Sequence, residues 1–588
     1  MNFTRSILIV AMAATPLLGQ KPSANIAAAK VALTEGLNAM QQGNLEVARR
    51  DFERVVKLAP QVETGHAALG SVLLSLNQFG SAAQELEMAH RMAPSDQAVN
   101  LNLGRAQVGL GQYGAAIAAF EQNAASTNAL ALSPEESLAY ATALAGTNHL
   151  AAAIEILRAG LQQSPESALL HDGLGTALAQ TGDLEGALPS FQKAVAADPN
   201  MATAQLHLGA ALLMLNRPDE AIGPATAAAS SLPNSFDAQL QLGRALSVMH
   251  RDTEALGHLH RAAELATPTQ SPDTMYSLAL TLQASGDAKA SLPIFASVTA
   301  SPRGSFHQGE ALTNYALAMV QTGDAVSALT IYAKALAVGP DNATLREDYG
   351  AAYLQKADLD NAVAQFKAGL KIEPDNAHLH YDLGLAYKLK DDLASAVPEF
   401  ERAALLDPAL PDPVYTLGVI YMQQGKYPEA ISNLRRATKL QPTNGDAWAL
   451  LGSVLKDSGD ANSAVEALYH AIELQPDLPS LHIQLATLDA QAGRSADAAA
   501  QRKIAADLSR AAMSRQRADF ALKSGRTLLE QNKLPEAIYQ LTVASSADAT
   551  LAEPHHLLAE AYSRQGKAVE AALEEKQAAK LAANSSHP

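Results

Sequence analysis

A small residue set in an apolar helical run returns along this chain at a nearly fixed interval. It is Gly36, Gly70, Gly104, Ala141, Gly175, Gly209, Gly243, Ala279, Ala316, Gly350, Gly384, Gly418, Gly452, Ala486, Gly525 and Ala559. Eleven of the fifteen spacings are 34 residues; the others are 37, 36, 37 and 39. A chain with that register is not one globular core. It is a row of equivalent segments, and 588 residues hold sixteen of them.

Residues 417–442, LGVIYMQQGKYPEAISNLRRATKLQP, show what a segment is. Leu417, Ile420 and Tyr421 share one helical face, and Ile431, Leu434 and Ala437 share another. Gly425 ends the first run and Pro442 closes the second. The pattern predicts a helix, a tight turn and a second helix. Twelve residues after each anchor stands an alanine, as at Ala187, Ala362, Ala396, Ala430 and Ala464, with Ser291 as the exception. Four further on comes a large apolar residue in most segments: Phe52, Phe120, Phe191, Phe366, Phe400, Leu434. Two nearly bare positions let the helices approach, and the large side chain fills the space between them. A hairpin this short cannot bury both faces alone and must stack on neighbours.

A helix hairpin with a 34-residue period resembles the tetratricopeptide repeat, from about Val31 to Ala582. Trp448, four before its anchor, matches the bulky position of that family. Leu383, Leu417 and Leu451 match the leucine before the anchor, and Tyr353, Tyr387 and Tyr421 the tyrosine after it. Asn123, Ala141 and Ala316 depart from the pattern. The resemblance implies an all-α, right-handed α-solenoid of about sixteen repeats. The first helix of each pair would line the concave side, over roughly two superhelical turns. Stacked pairs leave an extended concave surface for a partner.

The N-terminus reads differently. Arg5 precedes an apolar stretch from Ile7 to Leu18, about a dozen residues long, then Gly19. That is the form of a secretory signal peptide cut near Gly19 or Gln20, and it is short for a membrane span of roughly 20 residues. The expected organisation is a signal peptide over 1–19 and a lead-in over 20–30. Repeats one to fourteen follow over 31–508. Repeats fifteen and sixteen occupy 509–582, with an extended basic helix at their junction, and 583–588 form a disordered tail. The absence of cysteine removes the lipid attachment point of a bacterial lipoprotein, along with thiolate chemistry and Cys-ligated metals. The expected location is the periplasm or the cell exterior.

Nothing in the sequence carries a reaction. There is no Walker loop, HExxH, GxSxG or dinucleotide glycine loop in context. His258 and His260, His378 and His380, and the adjacent His555 and His556 have the wrong spacing for ligand pairs on a helix. Glu347 and Asp348 are expected on an ordinary helix face. No cofactor, no metal and no enzymatic activity are expected. A formal charge of −17 and the lack of aromatic residues interleaved with basic ones argue against nucleic acid.

Two features stand above the repeat background. The residue three before each anchor is one that members of the resembled family point into the groove. Here it includes Tyr381 and Tyr415, one repeat apart and expected to stack side by side, with Leu385, Val419 and Met422 on the same face. The second feature is a basic island from Arg494 to Arg526, eight Lys or Arg against three Asp. Its 39-residue spacing has no proline break. A helix running through it would carry Arg510, Arg515 and Arg517 away from the apolar stripe. The competing reading of the stripe is packing against neighbouring first helices, and that of the island is a solvated face that balances local charge. The function these readings lead to is an exported, non-enzymatic protein-interaction scaffold. The alternative is a glycan- or peptide-binding accessory subunit of a polysaccharide export or secretion machinery. The partner is then a protein or extended peptide in the groove, or a glycan, or an anionic surface at the basic island.

Export has a direct check. Intact-mass analysis of the protein from its native host should show a mature chain lacking the first nineteen or twenty residues. A mass that retains Met1 would exclude cleavage.

Overall fold

The computed structural model describes residues 24–125, 131–300 and 308–585. The proposed signal peptide and the last three residues of the tail lie outside the described residues. The described chain is all-α, with 31 helices and no strand. Sixteen hairpins would give thirty-two. The count falls one short because Ser495–Glu530 is a single helix of 36 residues, serving as second helix of the Ala486 pair and first helix of the Gly525 pair. Two compact units are present, residues 1–324 and 325–588. Each is a stack of helices with several buried apolar clusters, the largest running over residues 225–318 in the first and 396–488 in the second.

The anchor works as the sequence pattern requires. A Cβ built on Gly350 would lie 2.4 Å from the Phe366 ring, and one on Gly384 would lie 2.7 Å from the Phe400 ring. At Gly418 the colliding group is Leu434, at 2.6 Å. These large residues, sixteen beyond their anchors, are fully buried. Gly209 is the exception: its partner position is Ala225, and a Cβ there meets nothing closer than 3.4 Å.

Two further rules recur in the structure. Seven residues after every anchor the backbone turns left-handed. Nine of these positions are glycine, and the other seven are Asn77, Asn148, Asn216, His250, Ala357, Asp391 and Asn532. The amide that follows bonds back to close the turn, as Lys426 N does to the Tyr421 carbonyl at 2.9 Å. Four residues before the anchor, a side-chain donor reaches back to the proline carbonyl of the preceding junction. Trp448 Nε1 bonds Pro442 O at 2.9 Å, Gln205 bonds Pro199 O at 3.1 Å, and Asn100 bonds Pro94 O at 3.1 Å. His66, His171 and His380 place Nε2 against Pro60, Pro165 and Pro374 in the same way. Where it is present, this clamp fixes the junction to the helix that follows it.

Successive first helices touch one another, as Ala168–Gln180 does with Ala202–Met214 and Pro411–Gln423 with Gly445–Asp457. Among the described residues, no successive second helices make comparable contact. Within each unit the first helices therefore form the tighter layer.

Ala357 occupies the left-handed turn at φ 58° without the freedom of glycine. An alanine there costs roughly 1 kcal/mol relative to glycine. Ala357→Gly should raise stability by about that amount in urea unfolding of the full chain. Gly425→Ala, at φ 71°, should lower it by a similar amount.

Candidate partner-binding surface

In several pairs the residue three before the anchor does not project freely and meets the residue two before the next anchor. Asp172 Oδ1 lies 2.8 Å from His207 Nδ1, and the Tyr276 hydroxyl accepts from Asn314 at 2.9 Å. A Cβ on Gly173 would strike Leu138 at 2.6 Å. Tyr381 follows the rule: its hydroxyl lies beside Thr416. Its ring packs on Phe400 at a centroid distance of 5.6 Å. Among the described residues its ring contact is with Phe400 and not with Tyr415, so the expected side-by-side tyrosine stack is replaced by a ladder linking neighbouring first helices.

That ladder leaves both tyrosines partly exposed. Tyr381, Leu385, Tyr415, Val419 and Met422 are all half-buried. All but Val419 border the same apolar core, against Phe400, Leu417 and Tyr421. The result is an apolar strip across the helices Ala377–Leu389 and Pro411–Gln423.

Carboxylates surround this strip, and the sequence reading of Glu347 and Asp348 as ordinary face residues is corrected here. Burial is the main cause that lifts the Asp382 carboxyl to about 7, with Glu347 and then Asp348 adding to it. Burial, then Glu347, lifts Asp348 to about 6. Glu347 is raised by burial and by Glu373, against the opposing pull of His378. Further along, Asp412 acts on Tyr381 and Asp446 on Tyr415. Glu347 sits three before its anchor and Asp382 two before the next, so here the ladder brings two acids to one rung.

The basic island is arranged differently from expectation. Arg510 pairs with Asp507, Arg494 with Asp489 at 2.8 Å, and Arg526 with Glu553. Arg517 lines a cleft of about 280 Å³ with Tyr539, Thr542 and Ser546. Asp548 is held below its ordinary value chiefly by hydrogen bonds from Thr550, with Arg515 contributing. Seven residues separate Arg510 from Arg517, so they share a face, whereas Arg515 lies well round the helix. Exposed Met513 and Phe520 lie on the face of Arg510 and Arg517. The arginines are therefore interleaved with apolar side chains rather than set apart from them.

The histidines have structural work. His380 and His555 set Nδ1 against Glu399 and Glu574, and His258 sets Nδ1 against Gln239 at 2.8 Å. Among the described residues no group of three His, Asp or Glu could hold a metal ion, and no helix is long and apolar enough to cross a membrane.

Known families agree with this geometry. One tetratricopeptide repeat profile matches residues 33–97 and 173–236, and a TPR repeat profile matches 350–391 and 418–459. Another tetratricopeptide profile matches 377–410 and 445–478. Tetratricopeptide repeats are present in both units. No curated protein matches the chain. Among solved structures, a MamA protein is 25% identical, over 28% of this chain and 91% of that one, with a TM-score of 0.27. MamA from Desulfovibrio magneticus RS-1 is 22% identical over 29% of this chain and 97% of its own, with a TM-score of 0.28. A chain of the APC/C hetero-tetramer Cut9–Hcn1 is 13% identical over 78% of this chain and 96% of its own, with a TM-score of 0.33.

The half-buried acids predict a pH dependence. Asp348 and Asp382 hold their protons more tightly folded than unfolded, where the ordinary value is 3.8. Their stabilising contribution is present at low pH and is lost as pH rises through about 6 to 7. Asp382→Asn should raise the thermal midpoint by about 2–4 °C at pH 8 and leave it unchanged near pH 4. Scanning calorimetry at the two pH values checks this.

Proposed function

We propose that this chain is an exported, non-enzymatic scaffold that holds an extended segment of a partner protein along its first helices. The observation that carries this reading is the half-exposed strip of Tyr381, Leu385, Tyr415, Val419 and Met422, flanked by Glu347, Asp348, Asp382, Asp412 and Asp446. A rigid aromatic and aliphatic strip can anchor a peptide. The acids around it favour a segment that carries Lys or Arg beside its apolar residues, because such charges would relieve the carboxylate crowding at Asp382. The repeat fold contributes surface rather than a reacting group.

Replacing Tyr381 and Tyr415 together by alanine should weaken capture of the envelope partner by more than ~2 kcal/mol. Tyr381 also packs on Phe400, so affinity is measured by titration on the folded fraction, with circular dichroism as the check on folding. Unchanged affinity of the folded fraction would assign both tyrosines to the ladder alone.

A further inference from the structure

The long helix Ser495–Glu530 interrupts a contact that the other junctions make. Five residues before an anchor stands a side chain that tucks against the preceding second helix. A Cβ on Gly160 would be 3.0 Å from Leu170, and one on Gly369 would be 2.9 Å from Leu379. The residues at this position, including Val99, Leu170, Leu345, Leu379 and Leu481, are buried. Phe520 holds the same position in the Gly525 pair and is 75% exposed. The surface that should receive it lies beside Ala505, nineteen residues after Ala486. Along one straight helix the two are fifteen residues apart, about 22 Å, and cannot meet. Val31 supplies a control: it holds this position in the first described pair, with no described second helix ahead of it, and is 56% exposed.

The other side of the break shows the matching loss. Ile483 stands three before Ala486, where other pairs contact the residue two before the next anchor. That residue would be Lys523. Ile483 is 53% exposed, whereas its counterparts Leu101 and Leu240 are buried. The cause is legible in the register. Junction prolines Pro374, Pro408, Pro442 and Pro476 lie twenty-four residues after their anchors, and Arg510 takes that place here. The clamp donor four before the anchor is replaced by Ala521. Nothing stops the helix, and no junction carbonyl is clamped.

We propose that a second copy of this chain completes the broken junction, each copy seating its Gly525 and Ala559 pairs on the Ala486 pair of the other. The two orphaned surfaces are complementary to each other by the rule the rest of the array uses. One carries exposed Ile483, on the helix packed against buried Ala505, and the other carries exposed Phe520 and Lys523. Both belong to every copy, so a two-fold arrangement satisfies them twice and leaves no open repeat for a third. The continuous helix through residues 509–517 is the connection that spans from one copy to the other in this exchange. It joins surfaces that continue the interface running through the rest of the unit.

The chain has no cysteine, which makes the test clean. Full mature protein carrying Ile483→Cys and Lys523→Cys, both at exposed positions, is oxidised and run without reductant. The expected result is a two-chain band that reductant returns to one chain, absent from either single variant. Light scattering of the unmodified protein should give twice the chain mass at tens of micromolar. Arg510→Pro restores the stop found at the other junctions, and should convert that mass to one chain with helicity retained. Phe520→Asp, which leaves the helix intact, should raise the dimer dissociation constant at least tenfold. A disulfide formed within one chain would overturn the proposal in favour of closure in cis. A single-chain mass at every concentration, with no cross-link, would overturn it in favour of a different protein on this surface. Neither result depends on Tyr381 or Tyr415, so the scaffold reading stands or falls separately.

Discussion

The close approach of a bare backbone position to a large apolar side chain sixteen residues later sets the geometry of these hairpins. At Gly350 and Gly384 there is no room for a single methyl group between the helices. That contact brings the second helix close enough to bury the alanine twelve after the anchor, and with it the first helix of the following pair. Spacing between helices, and hence the step from one pair to the next, follows from it. The left-handed turn and the proline clamp then set where each helix stops and how the next begins.

The ladder of side chains across successive first helices shows how one surface serves two purposes. Asp172 with His207, Tyr276 with Asn314 and Tyr381 with Thr416 bind neighbours together. At Tyr381 and Tyr415 the same positions border the half-exposed apolar strip. Where both rungs are carboxylates, as at Glu347 and Asp382, the array gives up some of its own cohesion. Such a site has reason to favour a cationic visitor, since the visitor supplies what the neighbouring repeat does not.

Much of this was legible in the sequence where one residue type does one job. The 34-residue register, the anchor glycines, the alanines and the large residues at the hairpin centre each repeat as letters. The clamp did not, because His66, Gln205, Trp448 and Asn100 are chemically unlike and share only a donor that reaches back six residues. The left-handed turn was read at its glycines and missed at Ala357, His250 and Asp391, where the hairpin imposes the conformation on residues that resist it. The acid cluster was invisible because Glu347 and Asp348, one repeat before Asp382, act on it across neighbouring helices. Tyr381 was placed on the correct face, but its preference for Phe400 over Tyr415 is a matter of side-chain direction that spacing alone does not carry.

A helix that runs through a junction also changes how the protein bears load. An array of hairpins stretches like a spring, because each junction is a short loop between rigid pairs and can open by a small angle. Ser495–Glu530 has no such loop along its 36 residues, a span of roughly 54 Å. Tension along it is carried by backbone hydrogen bonds in series rather than by a hinge. That stretch acts as a strut, passing displacement from the Pro479–Gln491 helix to the Leu534–Ala547 helix with little loss. Where the rest of the unit yields, this segment holds its length until the helix itself melts.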